Sequence, residues 1–145
     1  MLRRTALFVV LAVVLAVMLG SCGGSPKATE LRLWSDNYAF RVTMDPMPPR
    51  ALERIVYRIV VQDKKTGQPI ETGEGRIFAT SEDMANSSDG FKKEKELGTY
   101  SGRLFFATTG DWAAAIQFRR DKNPRMPLER VDWIQGVRPA KEPGT

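Results

Sequence analysis

Apolar and polar residues alternate along most of the chain beyond residue 30. Tyr38, Phe40 and Val42 alternate with Ala39 and Arg41 in one of the clearest examples. Alternation with a period of two is typical of a β-strand that buries one face. The same kind of pattern predicts seven short strands, at about 31–34, 38–44, 55–61, 70–80, 98–106, 112–119 and 131–137.

Turn-forming residues separate these segments. Three prolines within 46–49 end one strand, because proline cannot donate to a sheet ladder. Gly73 and Gly75 suggest a bulge or a close backbone approach within the fourth strand. The polar stretch Ser81 to Glu96 has no strand period, and we expect a surface excursion with at most one helical turn there.

The pattern as a whole predicts an all-β chain. About seven short strands without a helical period favour an immunoglobulin-like, two-sheet antiparallel β-sandwich over residues 30–138, with a frayed tail at 139–145. The predicted core consists of Phe40, Val42, Tyr57, Ile59, Val61, Ile77, Tyr100, Leu104, Phe106, Trp112, Ile116 and Phe118.

The N-terminus has a different pattern. Arg3 and Arg4 precede an uncharged apolar run over 6–19, which is shorter than the ~20 residues that a membrane helix needs. The run ends in Leu19-Gly20-Ser21-Cys22. These four residues resemble the lipobox of bacterial lipoproteins. The resemblance implies a signal peptide at 1–21, lipidation of Cys22 and a flexible tether at 22–29, and the alternative is an uncleaved membrane anchor.

This resemblance also implies a location. The chain would be held on a membrane through the acyl chains of lipidated Cys22, in the cell envelope. Gly23 follows the cysteine where an aspartate would otherwise retain the lipoprotein in the inner membrane. In a two-membraned organism we therefore expect the outer membrane, with the domain facing the periplasm. In other organisms we expect the outer face of the cell membrane.

Several segments of the predicted sandwich occur in a characteristic order. They are Val-Thr-Met-Asp-Pro at 42–46, Ile-Val-Val-Gln-Asp at 59–63, Gly-Gln-Pro-Ile at 67–70, Gly-Thr-Tyr at 98–100 and Gly-Asp-Trp at 110–112. Their order resembles the YtkA-like or FixH-like family of exported immunoglobulin-like domains. The resemblance implies an envelope β-sandwich, and some members of that family are linked with copper handling or with assembly of respiratory oxidases.

Composition narrows the chemistry. The chain has no histidine, and Cys22 is its only cysteine, so histidine-based metal sites and catalytic triads are excluded. No nucleophile and base pair can be assembled, and we predict a protein that is not an enzyme and needs no cofactor. The net charge is +5, but the basic residues are scattered among acidic ones, which argues against nucleic acid as a partner.

A few side chains remain as candidates for metal binding. Met44, Met47 and Met84 are weak candidates for a soft Cu(I) site, and the alternative for each is packing. Asp83 and Asp89 supply oxygen ligands for Ca²⁺, but their spacing matches no EF-hand loop and suits an ordinary turn.

Four side chains are candidates for contact with a protein partner. Trp34 and Trp133 lie near the ends of the predicted domain, where an aromatic residue either anchors a partner or covers the open end of the sandwich. Arg119 and Arg120 suit anionic lipid headgroups or an acidic partner, and the alternative is a solvated strand end. The sequence thus favours a non-enzymatic, lipid-anchored binding or assembly module with a protein partner in the envelope. The alternative is a copper-handling accessory module.

Overall fold

The computed structural model of the protein describes residues 29–144. The predicted signal peptide, Cys22, nearly all of the tether and Thr145 lie outside the described residues. Nine strands form: β1 (Leu31–Trp34), β2 (Tyr38–Asp45), β3 (Arg54–Asp63), β4 (Gly73–Ser81), β5 (Asn86–Gly90), β6 (Lys92–Lys93), β7 (Thr99–Phe105), β8 (Gly110–Arg120) and β9 (Glu129–Val137). The part of the chain from 29 to 144 contains no helix that is long and apolar enough to cross a membrane.

The strands form two antiparallel sheets. One has the order β1-β2-β3-β7-β6, and the other has the order β5-β4-β8-β9. This arrangement confirms the predicted all-β, immunoglobulin-like sandwich. The predicted number of about seven strands was too small, because two short polar strands were not recognised.

The core lies between the sheets, as the alternation predicts. In β2, Phe40 pairs with Val61 and Val42 pairs with Ile59 of β3, so that all four side chains point inward. Each of the twelve predicted core residues is buried. Phe118 stands at the centre of an aromatic cluster, in edge-to-face contact with Tyr38 at 5.1 Å and with Tyr100 at 5.5 Å between ring centroids.

The stretch Ser81 to Glu96 differs most from its predicted structure. It forms no helical turn but folds into β5 and β6. Ser87 Oγ of β5 accepts a hydrogen bond from the Phe105 amide at 2.8 Å, and Asp89 Oδ2 accepts one from the Arg103 amide at 2.9 Å. The polar side chains of β5 therefore cap the part of the β7 edge that lies beyond its pairing with β6, which explains why β5 carries no apolar pattern.

The two glycines of β4 allow a close approach and not a bulge. The pairing of β4 with β8 is continuous from Gly73, opposite Arg120, to Ser81, opposite Trp112. A Cβ atom on Gly73 would lie 2.3 Å from the Phe118 ring, and one on Gly75 would lie 2.5 Å from the Gln117 carbonyl oxygen. The missing side chains thus leave room for the aromatic cluster.

The two long sides of the sandwich differ. On one side, the side chains of β5 join the second sheet to β7 of the first. On the other side, β1 and β9 are the outermost strands of their sheets. Just after β9, Arg138 is hydrogen-bonded to the β2–β3 connection. The Ala51 amide donates to the Arg138 carbonyl, and the Arg138 amide donates to the Pro49 carbonyl, both at 2.9 Å.

Candidate partner-binding groove

Trp34 ends the short edge strand β1. Alternation along this strand turns Leu31 and Leu33 toward the core and Arg32 and Trp34 away from it. Trp34 is 59% exposed. A tryptophan held on a strand with its ring in solvent is the type of side chain that anchors protein interfaces.

The Trp34 side chain lines a surface groove of about 590 Å³, which we call the Trp34 groove. Its second wall is the segment that leads into β9, where Leu128 is 47% exposed. Most of the lining is polar or charged, and Trp34, Pro127 and Leu128 supply its apolar contacts, so the groove suits a partner that offers hydrogen bonds as well as an apolar surface. The groove is lined by Trp34, Ser35, Asp36, Asn37, Lys64, Pro127, Leu128, Glu129 and Arg130.

Glu129 clamps the two walls of the groove together. Its carboxylate accepts hydrogen bonds from Ser35 Oγ at 2.5 Å, from Asn37 Nδ2 at 2.5 Å and from the Asn37 amide at 3.0 Å. Partial burial acts to raise the pKa of Glu129, but these hydrogen bonds from Ser35 and Asn37 outweigh it and hold the pKa below its usual value. The carboxylate therefore stays ionised and keeps the β1–β2 turn against the start of β9.

Lys64 ties a third element to the same turn. Its Nζ donates to the Ser35 carbonyl at 2.8 Å, and its amide donates to the Asn37 carbonyl at 2.9 Å. The β1–β2 turn is thus held from two sides, by β9 and by the segment after β3. A groove fixed in this way loses little conformational freedom when a partner binds.

The other predicted tryptophan lies elsewhere. Trp133 is half-buried and packs against the core, with its ring centroid 6.4 Å from that of Tyr57. Its indole Nε1 donates to Gln135 Oε1 at 3.3 Å. Trp133 therefore packs against the interior of the sandwich, and it does not line the Trp34 groove.

Arg119 and Arg120 are engaged within the domain. Arg119 forms an ion pair with Glu74 of the neighbouring strand. Arg120 Nη2 lies 2.7 Å from Asp63 Oδ2 and so links β8 to the end of β3. The Arg120 side chain and the Lys65 and Thr66 amides donate hydrogen bonds to Asp63 and lower its pKa from 3.8 to about 2.

The three methionines occupy different parts of the fold. Met44 is half-buried against the core, whereas Met47 and Met84 are exposed. Met47 lies in the β2–β3 connection, and Met84 lies in the tight β4–β5 turn, where its amide donates to Ser81. In the described chain, no three acidic or cysteine side chains converge on a point that could hold a metal ion.

A second cleft, of about 550 Å³, opens beside the start of β4. Glu71 lies 3.1 Å from Lys93 Nζ, and this contact together with a hydrogen bond from the Gly98 amide lowers the pKa of Glu71. Burial, followed by the charges of Glu71 and Asp121, raises the pKa of Tyr100 to about 12. Its hydroxyl donates to the Ile70 carbonyl at 2.8 Å, so these polar groups satisfy one another.

Sequence reasoning did not predict the second wall of the Trp34 groove. Leu128 and Glu129 are separated from Ser35 and Asn37 by more than 90 positions in the chain. The only local signal is the Ser-Asp-Asn sequence at 35–37, which is typical of a tight turn. The partner of that turn became visible only in the folded chain.

Comparison with known proteins agrees with the architecture. No protein-family model and no curated protein matches the chain. Among solved structures, the chain is similar to the crystal structure of a DUF4426 family protein from Pseudomonas aeruginosa PAO1. The similarity has a TM-score of 0.57 at 10% sequence identity and covers 77% of this chain and 97% of that chain. At this identity the likeness shows a shared β-sandwich fold and nothing further about function.

Proposed function

We propose that this chain is an exported, lipid-anchored, non-enzymatic protein of the cell envelope, whose β-sandwich binds a protein partner through the Trp34 groove. The observation that carries the proposal is the exposed ring of Trp34 in a groove held in place by Glu129. Burying such a ring against a partner would contribute more binding energy than most other single contacts.

The proposed anchor rests on the N-terminal sequence. The apolar run and the lipobox-like segment ending in Cys22 support export and lipidation. Fully extended, a tether over 22–29 would reach about 25–30 Å. It would lead directly into β1, so the domain would be held within about 25–30 Å of the membrane surface.

The anchor is tested by the intact mass of the protein extracted from membranes of a bacterium that expresses the full chain. We expect loss of residues 1–21 and addition of acyl groups, and we expect both changes to disappear in Cys22→Ala. A full-length, unmodified mass in both proteins would contradict lipidation and would leave Cys22 as a free thiol.

The binding role is tested by replacing Trp34 with a photoreactive amino acid in the full chain. We expect a discrete cross-linked protein partner in intact cells. Phe105, which is 47% exposed on β7, provides the matched control position. Equal cross-linking at both positions, or none at Trp34, would contradict a specific groove.

A further inference from the structure

The free edge of β9 carries a self-complementary pattern. Arg130, Asp132 and Ile134 alternate with the buried Val131 and the half-buried Trp133, and they point away from the core. Ile134 is 66% exposed, and Leu128, just before the strand, is also exposed. Near the end of β9 this edge is occupied, because the Gly136 carbonyl accepts from Gln135 and Arg138 bonds to the 49–51 segment. Between Arg130 and Ile134 no strand of the described chain pairs with the outer edge, so the outward N–H and C=O groups there are available to another strand.

We propose that two copies of this chain pair through β9, antiparallel about Val131, to form a two-fold dimer with a continuous eight-stranded sheet. The proposal rests on the proposed function and deepens it, because Leu128 and Arg130, which the second copy would contact, also line the Trp34 groove.

The register follows from charge and apolar matching. About Val131, Arg130 lies opposite Asp132 of the second copy, and Leu128 lies opposite Ile134 of the second copy. The two exposed apolar side chains would thus cover each other, and opposite charges would meet directly across the strands. The alternative centre, Trp133, would place Asp132 opposite Ile134, which would desolvate a carboxylate without a partner.

The charges are already arranged for this contact. Arg130 Nη2 lies 2.7 Å from Asp132 Oδ1 within the chain, and the two side chains are 52% and 59% exposed. The Arg130 guanidinium also lies 5.1 Å from the centre of the Phe78 ring, which holds it over the sheet. In the dimer two such pairs would form a closed cluster of four charges. A two-fold axis requires this kind of reciprocal pairing.

The test uses two variants of the full chain, Arg130→Cys and Asp132→Cys, each with a different tag. The two variants are co-expressed in a bacterium, and the intact cells are treated with an oxidant. In the proposed register, position 130 of one copy lies directly opposite position 132 of the other, with Cβ atoms about 4.5–5.5 Å apart, which suits a disulfide. Position 130 of one copy lies diagonally across from position 130 of the other, at about 7–8 Å, and the same holds for position 132. We expect a mixed disulfide dimer and only weak homodimers.

Controls separate this inference from the proposed function. Ser88→Cys, exposed on β5 at the opposite edge of the same sheet, is expected to stay monomeric. A disulfide dimer of the unsubstituted chain would show that Cys22 is not lipidated, which bears on the anchor and not on β9. Absence of the mixed dimer above the Ser88→Cys background would overturn the β9 dimer.

Charge reversal gives a second measurement that does not depend on cysteine. We expect Arg130→Asp to raise the dimer dissociation constant about tenfold in sedimentation of the extracted full chain, because two attractive pairs become repulsive. Adding Asp132→Arg should restore the affinity. A protein that sediments as a monomer before any substitution would overturn the proposal.

Discussion

Tyr57 and Gln135 join the two sheets inside the core, because the Tyr57 hydroxyl donates a hydrogen bond to Gln135 Oε1 over 3.1 Å. The same oxygen accepts the indole N–H of Trp133 at 3.3 Å. Tyr57 is fully buried, and burial raises the pKa of its hydroxyl well above the ordinary value. One amide oxygen thus satisfies two donors that have few other partners in this part of the interior.

Replacing Gln135 with leucine is therefore expected to lower the free energy of unfolding by about 1–3 kcal/mol, because the buried Tyr57 hydroxyl loses its acceptor. The measurement is urea denaturation. The double variant Tyr57→Phe with Gln135→Leu should lose less than the sum of the single changes, because the unsatisfied donor is gone. Additive losses would argue against this hydrogen bond as the cause.

Glu129→Ala tests whether the Trp34 groove is preformed. Without the carboxylate the β1–β2 turn loses three hydrogen bonds, so we expect faster hydrogen exchange at Asn37 and weaker partner cross-linking at Trp34. Asp36→Ala removes a neighbouring carboxylate on the same rim and is the matched control. Unchanged exchange at Asn37 in Glu129→Ala would show that the turn is rigid without the clamp.

Asp89→Ala tests the capping of β7. The change removes the acceptor for the Arg103 amide, and we expect a loss of about 1–2 kcal/mol in the free energy of unfolding together with faster exchange of that amide. Asp89→Asn keeps a carbonyl oxygen at the same place and should retain most of the stability. Similar losses in both variants would indicate that charge, and not the hydrogen bond, matters.

Gly75→Ala tests the close approach of β4 to the aromatic cluster. The new methyl group would meet the Gln117 carbonyl oxygen and the Phe91 ring, and we expect a loss of about 1–3 kcal/mol from overpacking. Gly90→Ala is the control, because no atom lies within 4 Å of its Cβ position. Comparable melting temperatures for the two variants would contradict the steric argument.

The ion pair of Asp63 with Arg120 predicts that the free energy of unfolding falls at acidic pH. The pKa of Asp63 in the folded chain is about 2, below its ordinary value of 3.8, so the unfolded chain binds the proton more tightly. The contribution is fully present above about pH 4 and is lost as the pH falls toward 2. We expect Asp63→Asn to flatten this part of the stability curve, measured by urea denaturation at pH 6 and pH 2.5. An unchanged slope would exclude Asp63 as its source.

The sequence predicted the parts of the fold that depend on local alternation. β2 and β8 carry a clear period of two, and their inward residues Phe40, Val42, Ile116 and Phe118 are all buried. The polar strands β5 and β6 escaped prediction because neither carries an apolar alternation. β5 contacts β7 through the side chains of Ser87 and Asp89, and β6 consists of two exposed lysines that pair with the β7 backbone. Strand prediction from apolar alternation cannot recognise a strand whose role is to supply hydrogen-bond acceptors.

The candidate site was predictable only in part. The alternation of β1 places Trp34 away from the core, which is a local property of four residues. The clamp that turns this exposed ring into one wall of a groove joins Glu129 to Ser35 across 94 positions. The partners of Arg119 and Arg120 likewise come from other strands, so their engagement within the domain depends on the tertiary fold.

The three tryptophans are buried to three different extents, so their intrinsic fluorescence can report on three separate parts of the protein. Trp112 is 1% exposed, Trp133 is half-buried, and Trp34 is largely in solvent. Collisional quenchers should therefore remove the red-edge emission of Trp34 first and that of Trp112 last. Changes at the groove, in the middle of the sandwich and at its far end can then be followed separately in an unlabelled chain.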